Sequence, residues 1–461
     1  MSVLVALAAL VFLMVAAYRG FSVILVAPLA AMGAVLLTDP AAVPPVFTGL
    51  FMEKMVGFVK LYFPVFLLGA IFGKLIELSG FARAIVTAAI DLVGKNQAMA
   101  TIVLVTALLT YGGVSVFVVV FAVYPFAAQM FRDADIPKRL IPGTIGLGAF
   151  TFTMDSLPGT PQIQNIIPTT FFKTDTWAAP TLGVIGGLFI LTLGLAYLDW
   201  RRRAAGIEGY GEGHLNEPEV AANVGDVHPL LALFPLILVG VANKVFTLAI
   251  PHFYGTSYEA ALTPGAKPVI ADVSAITAVW AVEGALLLGI LAVVVLAWRS
   301  VSVQFADGTK SAIGGALLAS INTASEYGFG AVIAALPGFL VISEALKSIP
   351  NPLVNQAVTV TTLAGITGSA SGGMSIALAA MADRFIEAAN AAGIPLEVMH
   401  RVASMASGGM DTLPHNGAVI TLLAVTGLTH RQSYKDIFAI TCIKTLAVFV
   451  VIAVYYATGW V

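Results

Sequence analysis

The sequence predicts an all-α polytopic membrane protein, and three observations lead to this fold class. Of its 461 residues, 59% are hydrophobic and only 10% are charged, whereas soluble domains carry about 25% charged residues. Apolar runs of about 20 residues, the length that crosses a bilayer, recur along the whole chain. The 44 glycines and 23 prolines are scattered through these runs, as broken membrane helices require. A soluble enzyme is excluded, and the lipid bilayer is the expected solvent.

Charge and cysteine content exclude further classes. The formal net charge is −2, so there is no basic surface to bind nucleic acid. Cys442 is the single cysteine, which excludes a disulfide framework and a multi-cysteine metal site. We expect neither a metal nor an organic cofactor.

About ten crossings are expected from the apolar runs. The first is short and could be a cleaved signal peptide, but it has neither a basic start nor a clear cleavage site. The expected spans are approximately residues 2–17, 21–38, 62–79, 139–154, 180–199, 229–250, 273–298, 326–346, 418–429 with its upstream half, and 437–459.

A polar stretch at residues 200–228 separates two halves, residues 1–199 and 229–461. It opens with Arg201-Arg202-Arg203, and the positive-inside rule places this cluster in the cytoplasm. Counting spans outward puts the other basic turns on the same side and both termini outside.

This count holds only if two further apolar stretches enter the membrane and return. They cover residues 98–131 and 353–387, and each carries glycines at its middle. Glycine permits a tight reversal, so each stretch is predicted to be a re-entrant hairpin. The alternative is one long tilted helix, which would put the basic turns at its two ends on opposite sides.

The two halves share a sequence repeat. Met154-Asp155-Ser156-Leu157-Pro158 matches Met410-Asp411-Thr412-Leu413-Pro414 at an offset of 256 residues, and the hairpin tips repeat at nearly the same offset. Each half thus combines a hairpin with a helix broken near proline, at about 139–172 and about 396–429. An odd number of crossings between the copies gives inverted-topology repeats, an arrangement typical of secondary transporters.

The tip Gly372-Gly373-Met374-Ser375, both broken-helix motifs and the segment Gly408–Ile420 resemble the gluconate permease family over nearly the whole chain. The resemblance implies proton-coupled uptake of a small hydroxy-monocarboxylate across a bacterial inner membrane. Sugar-acid members carry a Pro-Pro-His-Pro-Gly type of element where this chain has Leu157–Gln162. The chain therefore looks more like the branch for 3-hydroxybutyrate and related short-chain acids, with gluconate or another sugar acid as the alternative.

The expected substrate is a small organic acid anion in a polar pocket between hairpin tips and broken helices. No arginine is expected there, because Arg384 and Arg401 flank a predicted outer loop and Lys444 lies nearer a helix end. Backbone N–H groups, positive helix ends and hydroxyls would then hold the anion. The alternative for each serine is a hydrogen bond within its own helix. The predicted substrate-binding residues are Gly112, Gly113, Ser115, Ser156, Thr160, Gln162, Ser369, Ser371, Gly372, Gly373, Ser375, Thr412 and Asn416.

Four titratable residues are predicted to couple transport to an ion. Asp155 and Asp411 lie at membrane depth, where a carboxylate is costly and usually functional, although either could cap the following half-helix. His415 can carry a proton or be a core histidine, and Glu326 can join the network or mark the interface. A proton is the expected coupling ion, and sodium is the alternative because broken-helix carbonyls also bind it.

Two other function classes compete with the carrier. A channel would need a continuous polar pore, whereas polar residues cluster at the two breaks. A membrane enzyme is disfavoured because HExxH, GxSxG and P-loop motifs are absent from the sequence. A homodimer is expected by analogy with other inverted-repeat carriers.

Overall fold

The computed structural model describes residues 2–19, 21–94, 97–114, 116–206, 208–211, 227–263, 267–339, 341, 349–414 and 416–461. The first half contains α1 Ser2–Tyr18, α2 Val23–Thr38, α3 Val43–Val46, α4 Met52–Leu78, α5 Phe81–Val93, α6 Ala98–Tyr111, α7 Val116–Asp133, α8 Ile141–Ala149, α9 Phe152–Asp155, α10 Ile163–Phe172 and α11 Pro180–Ala204. The second half contains α12 Pro229–Tyr254, α13 Val273–Val301, α14 Phe305–Ala335, α15 Pro352–Thr367, α16 Ala370–Ala391, α17 Leu396–Ser407, α18 Gly417–Thr426 and α19 His430–Thr458.

The protein is an all-α polytopic membrane protein. Five described helical segments are long and apolar enough to cross a bilayer, namely Pro40–Leu78, Pro180–Ala204, Pro229–Tyr254, Val273–Ala335 and His430–Thr458. The fourth contains two helices, α13 and α14, joined by a 3-10 turn. Helix α14 begins at Phe305, well before the expected start at residue 326, because residues 305–325 contain no proline to stop the helix.

One small sheet interrupts the helical structure of the described residues. Strands β1 Ser257–Ala260 and β2 Val269–Asp272 pair antiparallel between α12 and α13. Tyr258 stacks edge-on against Tyr254 at 5.0 Å between ring centroids, and this contact holds the first strand against the end of α12.

Capping residues explain the sharp reversal between α15 and α16. Gly368 ends α15 with φ of +65°, a conformation that glycine adopts without steric cost. Ser369 then caps α16, because its hydroxyl accepts a hydrogen bond from the Gly372 N–H at 3.0 Å. The helix pair occupies the stretch predicted to be the second hairpin, and α6–α7 occupies the first. Their return within the membrane stays a prediction.

The two halves contact each other in reciprocal pairs of helices. Helix α4 packs on α14 and α11 packs on α19; α2 contacts α14 while α4 contacts α13; α7 contacts α18 while α10 contacts α16. Two copies of one unit related by a two-fold axis would give this pairing. The inversion of the second copy stays a prediction.

Candidate functional site

The first break in the chain is tied to the tip of the first helix pair. Helix α8 ends at Ala149 and α10 begins at Ile163. Between them, the Pro158 carbonyl accepts a hydrogen bond from the Tyr111 hydroxyl at 2.8 Å. Gln162, the residue before α10, donates from Nε2 to the Thr110 carbonyl at 2.7 Å. The side-chain amide therefore joins the start of the second half-helix to the hairpin tip.

The second break repeats this connection. Asn416, the residue before α18, donates from Nδ2 to the Gly368 carbonyl at 2.7 Å. Its Oδ1 also accepts the Val419 N–H at 2.8 Å and so caps the half-helix. Gln162 and Asn416 thus occupy matching places in the two halves, and both use an amide to fasten a broken helix to its hairpin tip.

The two breaks meet at Asp155. Its backbone carbonyl accepts a hydrogen bond from the Ser404 hydroxyl at 2.7 Å. A Cβ placed on Gly408 would overlap Oδ2 of Asp155, so the carboxylate lies against the backbone of the second motif. Asp155 is 1% exposed, and close approach at a glycine is what brings these segments together.

Arg401 corrects the expectation that no arginine would lie near the breaks. It is fully buried, and its guanidinium donates to the Ala178 carbonyl at 2.7 Å and 3.1 Å. It also donates to the Asp155 carbonyl at 3.2 Å and to Asn165 Oδ1 at 3.0 Å. Arg401 therefore clamps three backbone and side-chain oxygens around the first break. The sequence placed it on a loop flank, but α17 carries it into the core.

Lys444 was expected to lie nearer a helix end, away from the breaks, and this expectation is wrong. It lies near the middle of α19 and is 2% exposed. Its Nζ forms an ion pair with Asp411 Oδ1 and donates to the Phe150 carbonyl at 3.1 Å. One ammonium thus bridges a carboxylate of the second break and a carbonyl of the first.

Neither aspartate caps the half-helix that follows it. Gln162 stands at the N-cap of α10 and Asn416 stands at the N-cap of α18. Asp155 Oδ1 instead accepts a hydrogen bond from the Ser156 hydroxyl at 2.8 Å. Its Oδ2 has no hydrogen-bond partner among the described residues. The capping alternative is therefore wrong for both.

The predicted hydroxyl donors divide into engaged and unengaged groups. The Thr160 hydroxyl donates to the Thr153 carbonyl at 2.7 Å within the first break. Thr412 exchanges a hydrogen bond with Thr441 at 2.5 Å, and Ser371 lies 3.2 Å from the Thr323 hydroxyl. Ser375 is buried, and its hydroxyl has no partner among the described residues. Ser375 is therefore the hydroxyl at the second tip with capacity for a further contact.

The tip glycines allow close packing. A Cβ at Gly112 would overlap Leu236 of α12, and one at Gly113 would lie 3.3 Å from Pro161 of the first break. A Cβ at Gly373 would overlap the backbone of α15. These glycines are structural in this conformation, since each lets a helix or break approach the tip.

Glu326 lies beneath the second tip. It is 2% exposed, and a Cβ added at Gly372 would overlap its carboxylate. Its Oε2 has no hydrogen-bond partner among the described residues. Glu326 therefore packs from α14 against the tip of the second hairpin, and the hydrogen bonds described around Asp155 and Asp411 do not include it.

Ser115 and His415 lie outside the described residues. The sequence interpretation missed another histidine, His400, which is fully buried beside Arg401. Its ring nitrogens lie 2.6 Å from the Thr174 hydroxyl and 3.2 Å from Asn165 Oδ1. His400 is the fifth residue of α17, close after a predicted loop, and this place in the sequence gave no sign of burial.

A second polar cluster joins segments that were predicted to be cytoplasmic. Buried Asp436 accepts hydrogen bonds from Arg201 Nε at 2.6 Å and from the Tyr197 hydroxyl at 2.8 Å. Arg139 contacts Asp436 and also holds Glu208 through two hydrogen bonds of 2.7 Å and 2.8 Å. The hydrogen bonds from Arg139 lower the pKa of Glu208 below its ordinary value. The segments that carry Arg139, Arg201 and Asp436 therefore meet at one end of the bundle.

The site holds paired charges in a small space. A small cavity beside Lys444 is lined by Gly143, Phe150, Thr151 and Thr412, among other residues. Among the described residues, no group of three or more His, Cys, Asp and Glu side chains is arranged to hold a metal. The arrangement offers one buried carboxylate with a free oxygen, Asp155, next to two engaged cations.

Comparison with known proteins finds a close relative. The uncharacterized transporter YxjC of Bacillus subtilis (strain 168) is 58% identical over 472 residues, covering 100% of both chains. No protein-family model matches the sequence. Two solved structures align over most of the chain: the Alcanivorax borkumensis YdaH transporter, with 14% identity, 92% and 90% coverage and a TM-score of 0.49, and Neisseria gonorrhoeae MtrF, of a class of antimetabolite efflux pumps, with 13% identity, 91% and 85% coverage and a TM-score of 0.48.

The relative is a transporter and not an enzyme. Identity of this degree over the whole of both chains places the two proteins in one family. The chain therefore belongs to the transporter family of Bacillus subtilis YxjC.

Proposed function

We propose that the protein is a proton-coupled symporter for a small hydroxy-monocarboxylate, such as 3-hydroxybutyrate, working by alternating access in a bacterial plasma membrane. We also propose that its family is a branch of the gluconate permease family, with two inverted repeats. The observation that carries the proposal is the buried Asp155 carboxylate, whose Oδ2 lies unpaired where the two breaks meet.

The charges around the breaks support a monoanion as substrate. The donors of Arg401 are engaged by carbonyls and Asn165, and Lys444 is paired with Asp411. Among the described residues at the breaks, neither cation is free to neutralise a second carboxylate. A single carboxylate held by helix N-termini and hydroxyls needs no free cation.

A proton is supported as the coupling ion by the state of Asp155. A buried carboxylate with an unpaired oxygen is costly at membrane depth. Taking up a proton removes that charge, so protonation and substrate binding can be linked at this position. We propose a homodimer only by analogy with other carriers of this architecture.

The test is uptake of radiolabelled 3-hydroxybutyrate into proteoliposomes with an inward proton gradient. We expect saturable accumulation that collapses when a protonophore dissipates the gradient and that is unchanged when choline replaces sodium. Competition by a panel of short-chain hydroxy and keto acids, with gluconate in parallel, identifies the substrate class.

Three outcomes contradict the proposal. Competition by gluconate alone would favour the sugar-acid alternative. Accumulation that requires sodium would favour the sodium-coupled carrier. Uptake that does not saturate would indicate a channel.

A further inference from the structure

Lys444 occupies a position built from cation ligands. Its ammonium contacts the Asp411 carboxylate and the Phe150 carbonyl. Phe150 follows the last residue of α8, so its carbonyl lies at the negative end of a half-helix. Carboxylates and half-helix carbonyls are the oxygens that hold sodium in broken-helix transporters.

The pair is not explained by stability. Both side chains are almost fully buried, and burying two charges costs about as much as their attraction returns, so a well-packed apolar pair is often as stable. Lysine also suits the position because its ammonium is a compact point charge on a flexible stem. The ammonium matches a bound monovalent ion in charge and in the oxygens that it contacts.

The surrounding charges complete the arrangement. Asp411 comes from the second break and Asp155 from the first, while Arg401 reaches the Asp155 carbonyl from α17. The Tyr434 hydroxyl donates to the Thr412 carbonyl at 3.1 Å beside the pair. Asp411 is thus already neutralised by Lys444. Of these two aspartates, Asp155 is the one with an oxygen that has no partner among the described residues.

We propose that the Lys444 ammonium takes the place of a coupling cation between the two broken helices, and that it thereby determines the choice of coupling ion. With this position filled by a tethered charge, the carrier needs no sodium, and Asp155 remains as the group that exchanges a proton. This inference rests on the proposed function, since it names the residue that selects proton over sodium.

The experiment measures whether sodium binds when the Lys444 side chain is removed. Wild type, Lys444→Ala and Lys444→Ala/Asp411→Asn are purified in detergent, and Tm is recorded in sodium chloride and in choline chloride at equal ionic strength. We expect sodium to raise the Tm of Lys444→Ala by about 2 °C or more. Wild type and the double variant should not respond, because one keeps the ammonium and the other lacks the carboxylate.

Lys74→Ala is the matched control. Lys74 also pairs with a carboxylate, Glu77, at 2.7 Å, but it is partly exposed and lies away from the breaks. Its removal should produce no sodium response. If Lys444→Ala does not fold in choline, purification in sodium should recover it, and failure in both salts would count against the proposal.

Two other outcomes overturn the inference. One is a sodium response in wild type as large as that of Lys444→Ala. The other is a folded Lys444→Ala protein that ignores sodium. The readout needs no substrate, so it can fail while the uptake experiment succeeds, and the two proposals are judged separately.

Discussion

The carboxylate of Asp155 lies directly against Gly408, so that a Cβ on Gly408 would overlap Oδ2. These residues belong to the two breaks, one in each half of the chain. Their contact joins the halves at the point where the proton-exchanging group is proposed, and it makes the glycine a sensitive probe of the site.

Gly408→Ala is therefore expected to displace Asp155 or the second break. Overpacking of this kind costs about 1–3 kcal/mol, and uptake should fall with it. Thermal unfolding in detergent and proteoliposome uptake measure the two effects. Gly417→Ala is the control, because no atom lies within 4 Å of a Cβ at Gly417. Equal thermal stability and equal uptake in the two variants would argue against a close contact between Asp155 and Gly408.

The two aspartates should respond differently to neutralisation. Asp155→Asn should keep counterflow exchange but lose accumulation under an inward proton gradient, because the amide cannot take up the proton. Asp411→Asn leaves Lys444 buried without its carboxylate, and breaking such a pair costs about 3–5 kcal/mol. A loss of thermal stability is therefore expected mainly for Asp411→Asn. Full accumulation by both variants would shift the proton site to Glu326 or His415.

Asp436 is expected to stabilise the end of the bundle where Arg139 and Arg201 meet. It is 1% exposed and accepts a hydrogen bond from Arg201 at 2.6 Å. Asp436→Ala leaves these guanidinium groups without their buried partner and should cost about 3 kcal/mol of unfolding free energy. Asp199→Ala, which removes exposed pairs with Arg202 and Arg203, should cost less than about 1 kcal/mol. Thermal unfolding compares the stabilities of the two variants. Similar losses of stability would contradict the stabilising role of Asp436.

Cysteine labelling tests the predicted orientation. Arg203, whose side chain is 75% exposed, and Lys310, whose side chain is 79% exposed, lie in basic turns that are predicted to be cytoplasmic. In a Cys442→Ser background, cysteines there should resist an impermeant reagent in intact cells. A cysteine at Leu262, which is 96% exposed, should react. Labelling of Arg203→Cys or Lys310→Cys would reverse or remove the predicted sidedness.

Much of the helical layout could be predicted because its signals are local. Each break contains a proline, which fits poorly inside a helix, and the observed helices end close to the motifs at Asp155 and Asp411. Glycine followed by serine produces the reversal at Gly368 and Ser369. The roles of individual hydroxyls were less predictable, because Thr160 and Thr412 are engaged within the breaks or by a neighbouring helix.

The sequence by itself determined that this protein is a bundle of membrane helices, two of which are interrupted at matching motifs. The signals for this layout are the length of each apolar run and the positions of proline and glycine, and each of them affects only the backbone nearby. Only the tertiary structure decided which charges meet. Lys444 pairs with Asp411 across 33 residues, and Arg401 reaches Ala178 across 223. Position along a helix does not reveal which neighbour a long cationic side chain will face. That choice depends on how distant helices pack, and here packing carried both cations to the breaks.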